Sequence, residues 1–128
     1  MAIKLNDIEA LEIWHRATVA GVRRDAPDLT ARQMAVLLSV YMTPPPHTVR
    51  GMASLLDVSK PAITRAVDRL SELGLLKRKT DDSDRRSVLL QRTVKGSVFL
   101  REYGELVVDA ARNLGVGGPE GTGIPGRG

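Results

Sequence analysis

Apolar positions recur at helical spacing along most of this chain, and the breaks between the runs are sharp. Ile8, Leu11, Trp14 (or His15), Thr18 and Val22 follow one another at three or four residues. They predict a first helix capped by Asn6 or Asp7 and running to about Arg24. Asp25, Pro27 and Asp28 break it. Thr30 to Gln33 has capping-box spacing, and Met34, Leu37, Leu38 and Tyr41 form the expected inward stripe of a second helix. Pro44, Pro45 and Pro46 end that helix, because proline lacks an N–H and restricts the residue before it. His47–Val49 reads as a short extended piece or cap. A third helix is expected over Val49–Leu56, with Met52, Ala53 and Leu56 inward.

Asp57 and Val58 make a tight turn, and Ser59 caps a fourth helix from Lys60 to about Leu73. Pro61 falls in its first turn, where a missing N–H costs nothing. Ile63, Val67, Leu70 and Leu73, with Ala66 beside them, form the buried side, and Gly74 supplies a left-handed stop. The pattern then changes: Leu75–Thr80 and Ser87–Arg92 read as two strands joined by the polar loop Asp81–Arg86. Thr93 caps a last helix, about Val94 to Leu114, carrying Val98, Phe99, Leu106 and Val107. Residues 115–128 are mostly Gly and Pro and are expected to be disordered. The fold class expected is mainly α with a small β-hairpin wing (α+β), with a winged helix-turn-helix core over about residues 30–96 of one domain, 1–114.

Composition narrows the function. Aromatics are 3% of the chain, so Leu, Val, Ile, Met and Ala must build the core. With no cysteine there is no disulfide or thiolate site, and two histidines are too few for a structural zinc site. No apolar run approaches the ~20 residues that span a bilayer, and no signal-peptide core is visible, so the expected location is cytoplasmic. No catalytic triad, paired carboxylates or phosphate loop stands in a sensible context, so the chain reads as neither an enzyme nor a cofactor binder. Charge is unevenly placed. Residues 1–46 hold five basic and five acidic side chains, residues 47–96 eleven and six, and residues 97–128 three and four. The excess lies on the central segment, as a polyanion-facing surface requires; the plainer alternative is a basic soluble surface.

Two short helices joined by about three residues form a helix-turn-helix. The second turns Lys60, Ala62, Thr64, Arg65 and Arg69 outward or sideways, behind a leading end that includes Ser59 and Pro61. Small residues let such a helix sink into a major groove, where Thr64 and Arg65 reach base edges. Read plainly, Arg65, Asp68, Arg69 and Glu72 pair along a solvated face. The hairpin carries Lys77, Arg78 and Lys79 on its first strand, Arg85 and Arg86 at or just past its tip, and Arg92 at its end. A narrow minor groove attracts an inserted Arg, and Asp84 is placed to hold one extended. Read plainly, this is a hairpin with a mixed-charge loop.

Leu29–Gln33, Val58–Leu70, Leu73-Gly74-Leu75, Asp81–Leu90 and Thr93-Val94-Lys95-Gly96 together resemble the MarR-type winged-helix transcriptional regulators, over about residues 30 to 110. The resemblance implies that Arg86 enters the minor groove with Asp84 orienting it. It also implies that Ser59, Lys60, Pro61, Ala62, Thr64 and Arg65 lie on the recognition helix. On the DNA-binding reading itself, Lys77, Lys79 and Arg92 are expected to meet phosphate. The resemblance implies a homodimer formed through the first and last helices, double-stranded DNA as partner, repression from a palindromic operator and, in many members, release by a small aromatic acid. The chain departs from the pattern after residue 114, where another helix is usual. Dimerisation would then rest on helices 7–24 and 94–114, with Trp14, Phe99 and Tyr103 contributing. No effector pocket is assigned, although His15, Arg16 and Trp14 could bind an anion. The rival functions are a winged-helix module that binds another regulator, and an architectural DNA binder without sequence preference.

Overall fold

A computed structural model describes residues 4–115. The elements are α1 (Asp7–Arg23), α2 (Ala31–Met42), α3 (Val49–Leu56), α4 (Lys60–Glu72), β1 (Leu76–Asp81), β2 (Asp84–Arg92) and α5 (Val94–Arg112). They divide into two compact units, one of residues 29–100 and one formed by α1 with the later turns of α5. The glycine- and proline-rich stretch expected to be disordered lies, beyond Gly115, outside the described residues.

In the unit of residues 29–100, side chains of the backbone's neighbours decide where each helix starts. Thr30 and Gln33 cap α2 reciprocally, the Thr30 hydroxyl accepting the Gln33 N–H and the Gln33 side chain accepting the Thr30 N–H. Thr48 caps α3 through the Gly51 N–H, and Ser59 caps α4 through the Ala62 N–H. Each such cap contributes about 1 kcal/mol. The helix ends are equally specific. Asp57 adopts φ 54° and closes α3, with the Val58 N–H donating to the Ala53 carbonyl. Gly74, at φ 76°, closes α4, and the Leu75 N–H donates to the Leu70 carbonyl. These left-handed stops set the tight α3–α4 turn and the entry to β1.

The core of this unit is Val36, Leu37 and Val40 of α2, Met52 and Ala53 of α3, Ile63, Ala66, Val67 and Leu70 of α4, and Leu75, Leu76 and Leu90 around the hairpin base. The α2 stripe is rotated from the expected one: Val36 and Val40 are buried, whereas Leu38 is 40% exposed. β1 and β2 are antiparallel, and the Thr48–Leu89 bridge adds the piece before α3 to the same hairpin.

One hydroxyl ties the hairpin base to α2 and α5. The Tyr41 hydroxyl lies 2.7 Å from the Leu75 carbonyl and accepts the Thr93 N–H at 2.8 Å. The Thr93 hydroxyl in turn donates to the Gly74 carbonyl and accepts the Gly96 N–H, so it caps α5 while holding it to the end of α4. A Cβ on Gly96 would land on the Tyr41 hydroxyl and the Leu75 carbonyl. The Thr93-to-Gly96 spacing is thus a packing requirement: a cap at its first position and no side chain at its last.

The helical unit is built differently. Asn6 and Glu9 form a capping box at the start of α1. Ala17 of α1 and Ala110 of α5 are buried, Arg24 lies over the Tyr103 ring at 5.5 Å, and Glu12 accepts the Gly115 N–H. The apolar stripe of α1 is largely in the open, with Leu11, Trp14 and Val22 between 53% and 65% exposed. Val107 and Val108 of α5 are also exposed. No described helix is long and apolar enough to cross a membrane.

Candidate nucleic-acid interface

Ser59 starts α4 so that its first turns stand clear of the core. Lys60, Pro61, Thr64 and Arg65 are exposed, and Ile63, Ala66 and Val67 are buried on the other side. Ala62, expected to turn outward, is 7% exposed and belongs to the core. Its methyl sits one helical step from Ile63, and the buried arc is wide enough to include both. The outward edge of the helix is therefore Lys60, Thr64 and Arg65. Arg69 is half exposed and 3.5 Å from Glu72, as the plain reading of this face anticipates. Asp68 pairs with Arg78 on β1, which ties the hairpin to the side of α4.

The hairpin tip is tighter than expected. Asp81 and Asp84 are register partners, so Asp82 and Ser83 alone make the turn. The register breaks after Thr80, which pairs with Val88, and Arg85, Arg86 and Ser87 form an irregular stretch on β2. The arginines expected in a loop are thus on the second strand, and the irregularity re-aims their side chains. Asp81 secures the turn by accepting the Ser83 hydroxyl at 2.7 Å and the Ser83 N–H at 3.0 Å. These hydrogen bonds, the hydroxyl's first, hold the Asp81 carboxyl below its ordinary pKa. Asp84 accepts the Arg86 N–H at 3.1 Å, with the Arg86 guanidinium 3.8 Å away and 94% exposed.

A cleft of about 200 Å³ lies where these parts meet. Lys60 and Thr64 of α4 form one side, Asp84, Arg86 and Ser87 of β2 the other, and Thr48, Val49 and Arg50 line it from the start of α3. Of the expected residues, Lys60, Thr64, Asp84 and Arg86 come together here. Lys77 and Lys79 do not line the cleft. They alternate with Arg78, so they take the face of β1 turned away from α4. Arg92, expected to meet phosphate, is engaged within the protein. Its Nε donates to the Val40 carbonyl and a terminal nitrogen to the Thr43 carbonyl, both at 3.0 Å, so it satisfies the C-terminal end of α2. Arg50 was missed by sequence reasoning. It is one exposed Arg on a short helix, and its signal would have been its place two residues after the Thr48 cap.

In the helical unit, His15, Arg16, Val19, Ala20 and Arg23 of α1 and its C-cap Arg24 line a second, open cleft of about 550 Å³. Trp14, grouped with His15 and Arg16 from the sequence, does not line it. Among the described residues no cluster could hold a metal ion.

Helix, helix-turn-helix, and a hairpin pinned beside the second helix define a winged helix-turn-helix protein. Residues 28–87 match the MarR family model. The transcriptional regulator BldR from Sulfolobus solfataricus is 29% identical, over 83% of this chain and 72% of its own, with a TM-score of 0.59. A mutant E. coli MarR complexed with operator DNA is 25% identical, over 82% of this chain and 69% of its own, with a TM-score of 0.62. A mutant S. aureus MepR, at 18% identity and a TM-score of 0.70 over 87% of this chain and 80% of its own, shares the fold. Over residues 28–87 the chain is therefore similar to the MarR family, and over most of its length to solved transcriptional regulators.

Proposed function

We propose that this protein is a sequence-specific, dimeric DNA-binding regulator that represses transcription from a palindromic operator. The observation that carries this reading is the cleft that brings Lys60 and Thr64 of α4 together with Arg86 of the hairpin. A helix edge that is small, hydroxylated and basic suits a major groove, and an exposed Arg beside it suits the adjoining minor groove. Arg65 reads bases, Arg86 enters the minor groove, and Asp84 holds the strand that presents it. The uncovered apolar residues of α1 and α5 supply the dimer contact. Two-fold symmetry then puts two copies of α4 into successive major grooves about one helical turn apart. The relative solved with operator DNA favours this reading over a module that binds only another regulator.

Selection of bound duplexes from a random pool tests it. The expected product is a two-fold symmetric motif; an unsymmetric or featureless pool counts against it. On the selected duplex, Arg65→Ala should lose ~1–3 kcal/mol and relax preference at one position in each half-site. Equal weakening on every sequence would remove Arg65 from base readout.

A further inference from the structure

The cleft between α4 and the hairpin has a role that the groove contacts alone do not give it. Three cations, Arg50, Lys60 and Arg86, border it against one carboxylate, Asp84, which is already engaged by the Arg86 N–H. Neither Arg50 nor Lys60 has an ion-pair partner among the described residues. The start of α3 opens onto the same space, adding the positive end of a helix. DNA geometry says what belongs there. If α4 occupies a major groove and Arg86 the neighbouring minor groove, one sugar–phosphate strand separates the two grooves and must pass between these elements. Between them lies the cleft.

We propose that this cleft seats a single phosphodiester group of that strand, with Arg50 of α3 as its anchor and Lys60 of α4 beside it, while Arg86 passes on into the minor groove. The inference rests on the DNA-binding reading above and adds α3 to the elements that touch DNA. Arg50 fixes the height of the duplex on the protein, so it sets the register in which Arg65 meets bases without itself reading sequence.

The test uses the full chain and the duplex chosen by selection. Titrations over a salt series compare the wild type with Arg50→Gln and Arg50→Lys, on the selected duplex and on an unrelated one. A set of duplexes carrying one neutral methylphosphonate each locates the phosphate. Arg50→Gln should weaken binding roughly threefold to tenfold near 0.1 M salt, equally on both duplexes, and lower the slope of log K against log salt by about one. Arg50→Lys should keep the slope. One methylphosphonate position in each half-site should weaken the wild type by the same factor and leave Arg50→Gln no weaker than before. An unchanged slope for Arg50→Gln, a loss confined to one base pair, or no methylphosphonate position that masks the variant would overturn the proposal while leaving DNA binding intact. A wild type that shifts no duplex would overturn both. The methylphosphonate scan on the wild type keeps the question decidable if Arg50→Gln folds poorly.

Discussion

Arg92 is a basic side chain engaged within the fold. It ends β2, which also carries Arg85 and Arg86, and it lies beside a strand with Lys77, Arg78 and Lys79, so its sequence context is that of a phosphate binder. Its guanidinium donates to the Val40 carbonyl of α2 and the carbonyl of its C-cap Thr43, and lies over the Tyr41 ring at 5.9 Å. Arg92→Ala is therefore expected to cost about 1–2 kcal/mol of folding stability, as lost charged hydrogen bonds do. The salt dependence of DNA binding should stay unchanged. A denaturant titration and a salt titration on one preparation separate the two effects. Ser71 is the opposite case. Its hydroxyl is buried without a hydrogen-bond partner among the described residues. Ser71→Ala removes that burden and favours the helix, so thermal unfolding should shift upward, by the equivalent of roughly 0.5–1 kcal/mol. A downward shift would mean the hydroxyl is satisfied.

Among the elements, the wing depends on a turn only two residues long. Asp81 fastens that turn as a carboxylate, and its pKa is depressed in the folded chain. A depressed folded pKa gives stabilisation that is complete above the unfolded value and lost as pH falls through the folded one. The Ser83 amide should exchange slowly at neutral pH and lose protection below about pH 4. In Asp81→Ala it should exchange fast at every pH. If the acid-induced change survives in Asp81→Ala, Asp81 is not its source. At the other tight turn, Asp57 holds φ 54°. Alanine there should destabilise the chain by about 1 kcal/mol and glycine should not, by the left-handed penalty that glycine escapes.

For the molecule as a whole, the sequence predicted the order of helices and hairpin because caps, prolines and period changes are local. Thr30, Thr48 or its neighbourhood, Ser59 and Gly74 all mark boundaries that the structure keeps. What could not be read locally was rotation and company. Ala62 and Leu38 each lie one helical step from their expected side. Arg50 joins Arg86 only because α3 and a strand about 36 residues later share a cleft, an arrangement no local spacing encodes. The stripe on α1 was legible as apolar, and its Trp14 and Val22 are exposed. If two copies cover it, Trp14→Glu should give a monomer in sedimentation and weaken binding to a two-fold duplex. A variant that sediments like the wild type would place the dimer contact elsewhere.

The space at Gly96 has a consequence for any attempt to remake this protein. Randomising that one codon and screening for soluble, folded chains should return glycine almost alone. The adjacent codons, for the exposed Lys95 and Ser97, should accept many residues.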